Sequence, residues 1–124
     1  MTHSRRKGAR GELELAHSLN SLGMFAHRSQ QYCGKAGDAD LIVRGLGLHI
    51  ECKRVARPRI NDYIKQARAD SKGRPFAVFL RTDGCEWLVI QPLQQWAADS
   101  AIAGQAIAAQ QAFLDEVARE ASGL

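Results

Sequence analysis

Residues 38–54 read DADLIVRGLGLHIECKR. Two stretches of apolar-polar alternation, 38–44 and 48–54, flank Gly45-Leu46-Gly47. Period-two alternation on both sides of a glycine-rich turn predicts an antiparallel hairpin. In its first strand Ala39, Leu41 and Val43 share one face, and Asp38, Asp40 and Ile42 share the other. In its second strand Leu48, Ile50 and Cys52 share a face, and His49, Glu51 and Lys53 take the reverse side. Both apolar sets must lie on one side, against a helix. That demand restricts the register, because a slip of one residue sends one set to the wrong face. A two-residue loop, Gly45-Leu46, with Gly45 at the first position of a type II′ turn, meets it. Arg44 then pairs with Gly47, Asp40 lies opposite Glu51, and Asp38 lies opposite Lys53.

Directly opposed side chains have Cβ atoms ~4.5–5.5 Å apart, and like charges there are destabilising. A divalent cation between Asp40 and Glu51 removes the conflict, because hard cations prefer carboxylate oxygens. Lys53, two residues on, projects into the same site. There it can hold an attacking water or stabilise charge developing on a phosphate. The same pattern also fits a solvated polar face on which a lysine balances the acids.

Working outward, residues 4–22 read as a helix with Leu15, Ala16, Leu19 and Leu22 on one stripe, stopped by Gly23. At about 100° per residue, Glu12 falls in the middle of that stripe and Glu14 faces solvent. An acid on a core-facing stripe is costly unless paired or metal-bound. Its other role there is a favourable charge near the helix N-terminus. Gly8 and Gly11 remove bulk and let a strand approach. Arg5, Arg6, Lys7 and Arg10 read as phosphate contacts.

Residues 24–30 form a first strand and 31–37 a loop. Residues 60–72, after Pro58, form a helix with Ile60, Tyr63, Ile64 and Ala67 as its apolar stripe. Residues 76–81 and 86–91 form two strands around Thr82-Asp83-Gly84. From Pro92 the chain is Ala/Gln-rich and helical, with a break expected near Gly104. The order α-β-β-β-α-β-β-α predicts an α/β fold, a small sheet with flanking helices. A single domain of 1–124 is expected, with its core at about 4–91 and an acidic helical extension at 92–124.

The chain has 124 residues, 45% of them hydrophobic and 24% charged, an ordinary globular balance. No apolar run approaches ~18 residues, so nothing reads as a membrane span. The basic N-terminus lacks the apolar stretch of a signal peptide, which leads to the expectation of a soluble, intracellular protein. The three cysteines form no CxxC pair and the four histidines do not fall at zinc-ligand spacing. Reduced, mostly buried thiols are expected. The net charge of +4 is uneven. Sixteen of the 17 Lys/Arg lie in residues 1–81 against seven acids, a balance of +9, whereas 82–124 hold one Arg against six acids, a balance of −5. The basic portion suits a polyphosphate partner, and the acidic tail does not.

Three stretches carry a family resemblance: KGARGELE (7–14), GDADLIV (37–43) and IECKR (50–54). Together they resemble the PD-(D/E)XK nucleases, and more narrowly the archaeal Holliday junction resolvases and their phage and prophage relatives. RSQQYCGKAGDADLIV (28–43) followed by LHIECKRV (48–55) is especially similar to the phage-type proteins. The resemblance covers roughly residues 5–91. It implies a restriction-endonuclease-like mixed sheet and a catalytic set of Glu12, Asp40, Glu51 and Lys53. It implies Mg²⁺ or Mn²⁺ held by Asp40, Glu51 and the backbone carbonyl of Cys52, with Glu12 acting mainly through coordinated water. Gln66 resembles a polar residue that often joins such sites from the next helix, although a plain surface glutamine fits equally. Ser29, Gln30 and Gln31 stand where related resolvases carry polar residues near the scissile phosphate. Ala39 stands where the family name expects Pro, and Cys52 where an aliphatic residue is more usual.

The expected activity is hydrolysis of phosphodiester bonds in branched DNA, a four-way junction above all, in a cytoplasmic bacterial, phage or prophage setting. Symmetric cutting of a junction calls for two active sites, hence a homodimer. Leu93, Trp96 and the Ala-rich tail are candidates for its interface or for the core. The alternatives are a nuclease for flapped, nicked or linear DNA, a non-catalytic DNA-binding module, and an RNA-directed enzyme.

Overall fold

A computed structural model describes residues 3–29 and 39–123, with side chains from residue 8 onward. The chain divides into two compact units, Met1–Gln91 and Pro92–Leu124. The first unit has α1 (His3–Ser21), β1 (Ala26–Arg28), β2 (Leu41–Val43), β3 (His49–Val55), α2 (Ile60–Ser71), β4 (Phe76–Thr82) and β5 (Leu88–Ile90). The second is α3 (Leu93–Ser122).

The five strands form one mixed sheet in chain order, β1 to β5. β3 and β4 run parallel over seven residue pairs, from His49 beside Phe76 to Val55 beside Thr82, and every other neighbour is antiparallel. A parallel pair needs a crossover connection, and α2 supplies it. The α/β architecture with a small mixed sheet and helices is as expected from the pattern of elements, although β1, β2 and β5 are shorter than expected, while β3 and β4 run their full expected length.

α1 covers one face of the sheet. Leu15, Ala16 and Leu19 pack on Ala26, Leu41, Val43, Ile50, Ala77 and Phe79. α2 covers the other face, where Ala67, with Tyr63 and Ile64 beside it, packs on Phe76 and Val78. After α1, Gly23 adopts φ +94°, and Met24 N–H returns to the Leu19 carbonyl at 3.1 Å. Asn20 then clamps the start of β1. Its amide accepts from Ala26 N–H at 2.6 Å and donates to Ala26 C=O at 2.9 Å.

Several expectations need correction. Leu22 lies beyond the last turn of α1 and is exposed, not part of the stripe. The hairpin turn is not type II′ at Gly45-Leu46. Leu46 N–H bonds to Val43 C=O at 3.1 Å, so Gly45, at φ +85°, occupies the third position of a turn begun one residue earlier. α3 runs unbroken through Gly104, in an Ala-rich setting where one glycine costs only about 1 kcal/mol. None of its residues is buried, and Leu93 and Trp96 are exposed. Cys52 is half-buried and Cys85 exposed, both as free thiols, so the thiols are less buried than expected. Among the described residues, no helix is long and apolar enough to cross a membrane.

Candidate active site

The expected register is present at its central pair, Leu41 opposite Ile50. Both side chains are fully buried against α1. The regular ladder ends at the next residue. Asp40 N–H donates to Ile50 C=O at 2.8 Å, whereas Asp40 C=O accepts from Ser29 N–H at 3.1 Å. A regular strand residue sends both groups to the same neighbour. Asp40 sends them to opposite neighbours, so its backbone is twisted where β2 leaves β3, the kind of irregularity that re-aims a side chain.

β3 continues past this point without β2 beside it. The N–H of Cys52 is met there by the Asp40 carboxylate, with Oδ2 accepting at 2.7 Å. The Asp40 carboxyl also feels the charge of Glu51. Burial raises the Asp40 pKa to about 6; the Cys52 N–H bond opposes the rise and the Glu51 charge adds to it. Glu51, only 2% exposed, is also shifted upward by burial, with Lys53 acting against the shift. Burial among carboxylates pushes the Cys52 thiol up to about 12, so it stays protonated at neutral pH. Its backbone, not its sulfur, is what the site has available.

Lys53 reaches the α2 side. Its Nζ donates to Gln66 Oε1 at 3.2 Å and sits 5.2 Å from the centre of the Tyr63 ring. Gln66 is exposed on its helix, yet it is the residue that meets the lysine.

Glu12 is half-buried and pairs with Arg28, whose Nε donates to Oε2 at 2.7 Å. Burial raises its pKa, and the charge of Asp40 adds to the rise. Glu12 and Asp40 therefore sense each other across the join between α1 and the sheet. Glu14 does not face solvent as expected. It is half-buried and pairs with Arg81, and with Arg54 Nε at 3.4 Å. The sheet is wider than the helix stripe, so α1 meets basic residues of β3 and β4 on that flank. Gly11 does make a close approach: a Cβ there would lie 3.1 Å from Arg54 Cβ and 3.9 Å from Cys52 Sγ. Gly8, by contrast, meets nothing within 4 Å among the described residues and makes no such approach.

Arg10 is exposed and Ser29 half-buried. The side chains of Arg5, Arg6 and Lys7, and all of Gln30, Gln31, Cys33 and Asp38, lie outside the described residues.

The largest departure concerns the polar face of β3. Under α2, His49 and Glu51 are buried. His49 Nε2 lies 2.8 Å from Glu51 Oε1, and Asp70 of α2 brings a carboxylate oxygen within 4.8 Å of both. Sequence reading placed His49 on the face of Glu51 but assigned it no part, and it overlooked Asp70. The signal was present as a His-x-Glu alternation on a strand followed by a helix carrying an acid.

No family model, curated protein or solved structure matches the chain.

Proposed function

We propose that the chain is a metal-dependent endodeoxyribonuclease of the PD-(D/E)XK kind, acting on branched DNA. The observation that carries this reading is the pairing of Asp40 and Glu51. Two carboxyls are held together in a partly dry place, with both pKa values raised by burial. Such a pair is short of positive charge, and oxygen-only ligands suit Mg²⁺ or Mn²⁺. Asp40, Glu51 and the Cys52 carbonyl would hold the ion. A bound divalent ion supplies charge neutralisation at the phosphate and a water acidic enough to attack it.

The remaining roles fall to this chain's own groups. Lys53 sits next to Glu51 in sequence pattern and in charge, and its ammonium offsets negative charge gathering on a phosphate. Gln66 and Tyr63 hold that ammonium in place. Glu12 joins from α1 through its charge interaction with Asp40. The basic balance of residues 1–81 attracts the nucleic acid without reading its sequence. A symmetric junction needs two cuts, so two copies of the chain act together.

The test offers purified protein, with Mg²⁺ or Mn²⁺, a four-way junction and matched flap, nicked and linear duplexes. Preferential junction cleavage that Glu51→Ala abolishes supports the reading. Equal cleavage of all four substrates removes the junction assignment and leaves a general nuclease. Salt-dependent binding without cleavage in any divalent metal leaves a DNA-binding module.

A further inference from the structure

We propose that His49, Glu51 and Asp70 form a second cation site, under α2, that takes a transition-metal dication of the Zn²⁺ kind in preference to Mg²⁺. The site goes beyond the nuclease reading and does not depend on it. Three features carry the assignment. His49 and Glu51 occupy alternate positions of β3, so both side chains leave the same face of the sheet. Asp70 descends on them from the last turn of α2, and one donor atom from each residue lies within 4.8 Å of the others. Neighbouring ligands of a tetrahedral ion at ~2.1 Å stand ~3.4 Å apart, so the set closes on an ion by at most about 1.4 Å, a movement that falls to the half-buried Asp70. His49 Nε2 and Glu51 Oε1, hydrogen-bonded at 2.8 Å, need to part by only about 0.6 Å to reach the ~3.4 Å edge between neighbouring ligands of such an ion.

The second feature is burial. His49 is 1% and Glu51 2% exposed, in a layer whose other half is Phe76 and Val78. Buried charge is costly unless paired or metal-bound. Two carboxylates face each other here, and Asp70 adds to the upward shift of the Glu51 pKa. The third feature is the balance of charge. Lys53 lowers the Glu51 pKa but has its ammonium bonded to Gln66 and over Tyr63, and Arg68 lies 5.1 Å from the centre of the Phe76 ring, so one cationic group offsets the two carboxylates only in part. Asp70 is the half-buried member and provides the approach from solvent. An imidazole nitrogen among the ligands sets the metal class: nitrogen suits Zn²⁺ and its neighbours, whereas Mg²⁺ demands oxygen in near-ideal octahedral geometry. Glu51 thereby stands between two sites, meeting Asp40 on one side and His49 with Asp70 on the other.

The experiment measures binding, not cleavage, so failure of the nuclease reading leaves it standing. Metal-free full-length protein is titrated with Zn²⁺ by calorimetry and with Co²⁺ by visible absorption. Wild type is expected to bind one Zn²⁺ equivalent in millimolar Mg²⁺, with a Co²⁺ spectrum showing nitrogen ligation. Asp70→Asn and His49→Gln are expected to weaken Zn²⁺ binding at least about tenfold, and Asp40→Asn, which alters only the neighbour of Glu51, to change it by less than about threefold. Asp70→Asn, at the half-buried position, keeps the test decisive if His49→Gln fails to fold. Equal Zn²⁺ affinity in wild type and Asp70→Asn overturns the proposal. So does loss of binding in Asp40→Asn, or displacement of Zn²⁺ by equimolar Mg²⁺.

Discussion

The two faces of β3 are drawn from alternate residues of one seven-residue strand, yet they serve opposite ends. On the α1 side, Ile50 and Cys52 join an apolar layer continued by Ala77 and Phe79 of β4. On the α2 side the layer is divided. β4 contributes Phe76 and Val78, while their partners in β3, His49 and Glu51, are polar and just as buried. The α1 face is where burial stabilises the fold, and half of the α2 face is where charge is held out of water at a cost. A fold keeps such a half-face when the other layers are stable enough to carry it.

The comparison breaks if the polar half turns out to be needed for stability. Glu51→Gln keeps the shape and a hydrogen-bonding partner for His49 but removes the charge. Cleavage is expected to fall by about 10²–10³-fold, the scale of losing one charge-positioning group at a reacting centre. Urea unfolding of the metal-free variant is expected to show equal or greater stability, because a desolvated charge has been removed. A loss above about 2 kcal/mol would put Glu51 among the residues that hold the fold.

The apolar face should respond the other way. Ile50 is fully buried at the centre of the α1 layer. Ile50→Ala is expected to cost about 2–5 kcal/mol in denaturant unfolding. Cleavage per folded molecule should hold within about threefold, because the side chain points away from Glu51 and Lys53.

Asp40 lies at the seam between the faces, and its titration sharpens the contrast. Its pKa is raised from 3.8 to about 6 in the folded chain, chiefly by burial. Between those values the folded state binds more protons than the unfolded state, so stability falls as pH rises from about 4 to about 6, then levels off. The loss is at most ~3 kcal/mol, from 1.36 kcal/mol per pKa unit. Asp40→Asn should flatten that part of the curve in the metal-free protein. Saturating Mg²⁺ should flatten it in wild type. A wild-type curve that rises across this window would contradict the burial of the charge.

What could be read in advance follows the same division. The pairing of Leu41 with Ile50 was legible because both strands carry apolar residues that only one register buries together. The turn was not, because a glycine with positive φ fits either the first or the second inner position, and the sequence does not distinguish them. The alternation separated His49, Glu51 and Lys53 from the apolar set. It could not say whether their side met water or a helix, since the stripe of α2 is accounted for by β4 alone. Glu14 was misplaced for a related reason: a helical wheel says which flank a residue takes, not that Arg81, 67 positions away, waits on it. Alternation and helical period report direction, whereas neighbours come from how wide the sheet grows.

The smallest expected effect lies at the closest contact of the apolar side. Gly11 is buried in α1 where the helix crosses β3. Alanine there gains about 0.5–1 kcal/mol of helix propensity. Its Cβ, however, lands 3.1 Å from Arg54 Cβ. That atom is fixed to the β3 backbone and cannot rotate away, so α1 must lift by a few tenths of an ångström. Lifting thins the contacts of Leu15 and Ala16 as well, which offsets the propensity gain. The expected outcome is a net loss of less than about 1 kcal/mol for Gly11→Ala in thermal unfolding, and a clearly larger loss for Gly11→Leu. Because Cys52 lies under the same crossing and its N–H holds the Asp40 carboxylate, the lift should register at the candidate site too. A small drop in cleavage with Gly11→Ala, and none with the exposed Gly8→Ala, would show that the apolar face sets the position of the polar one.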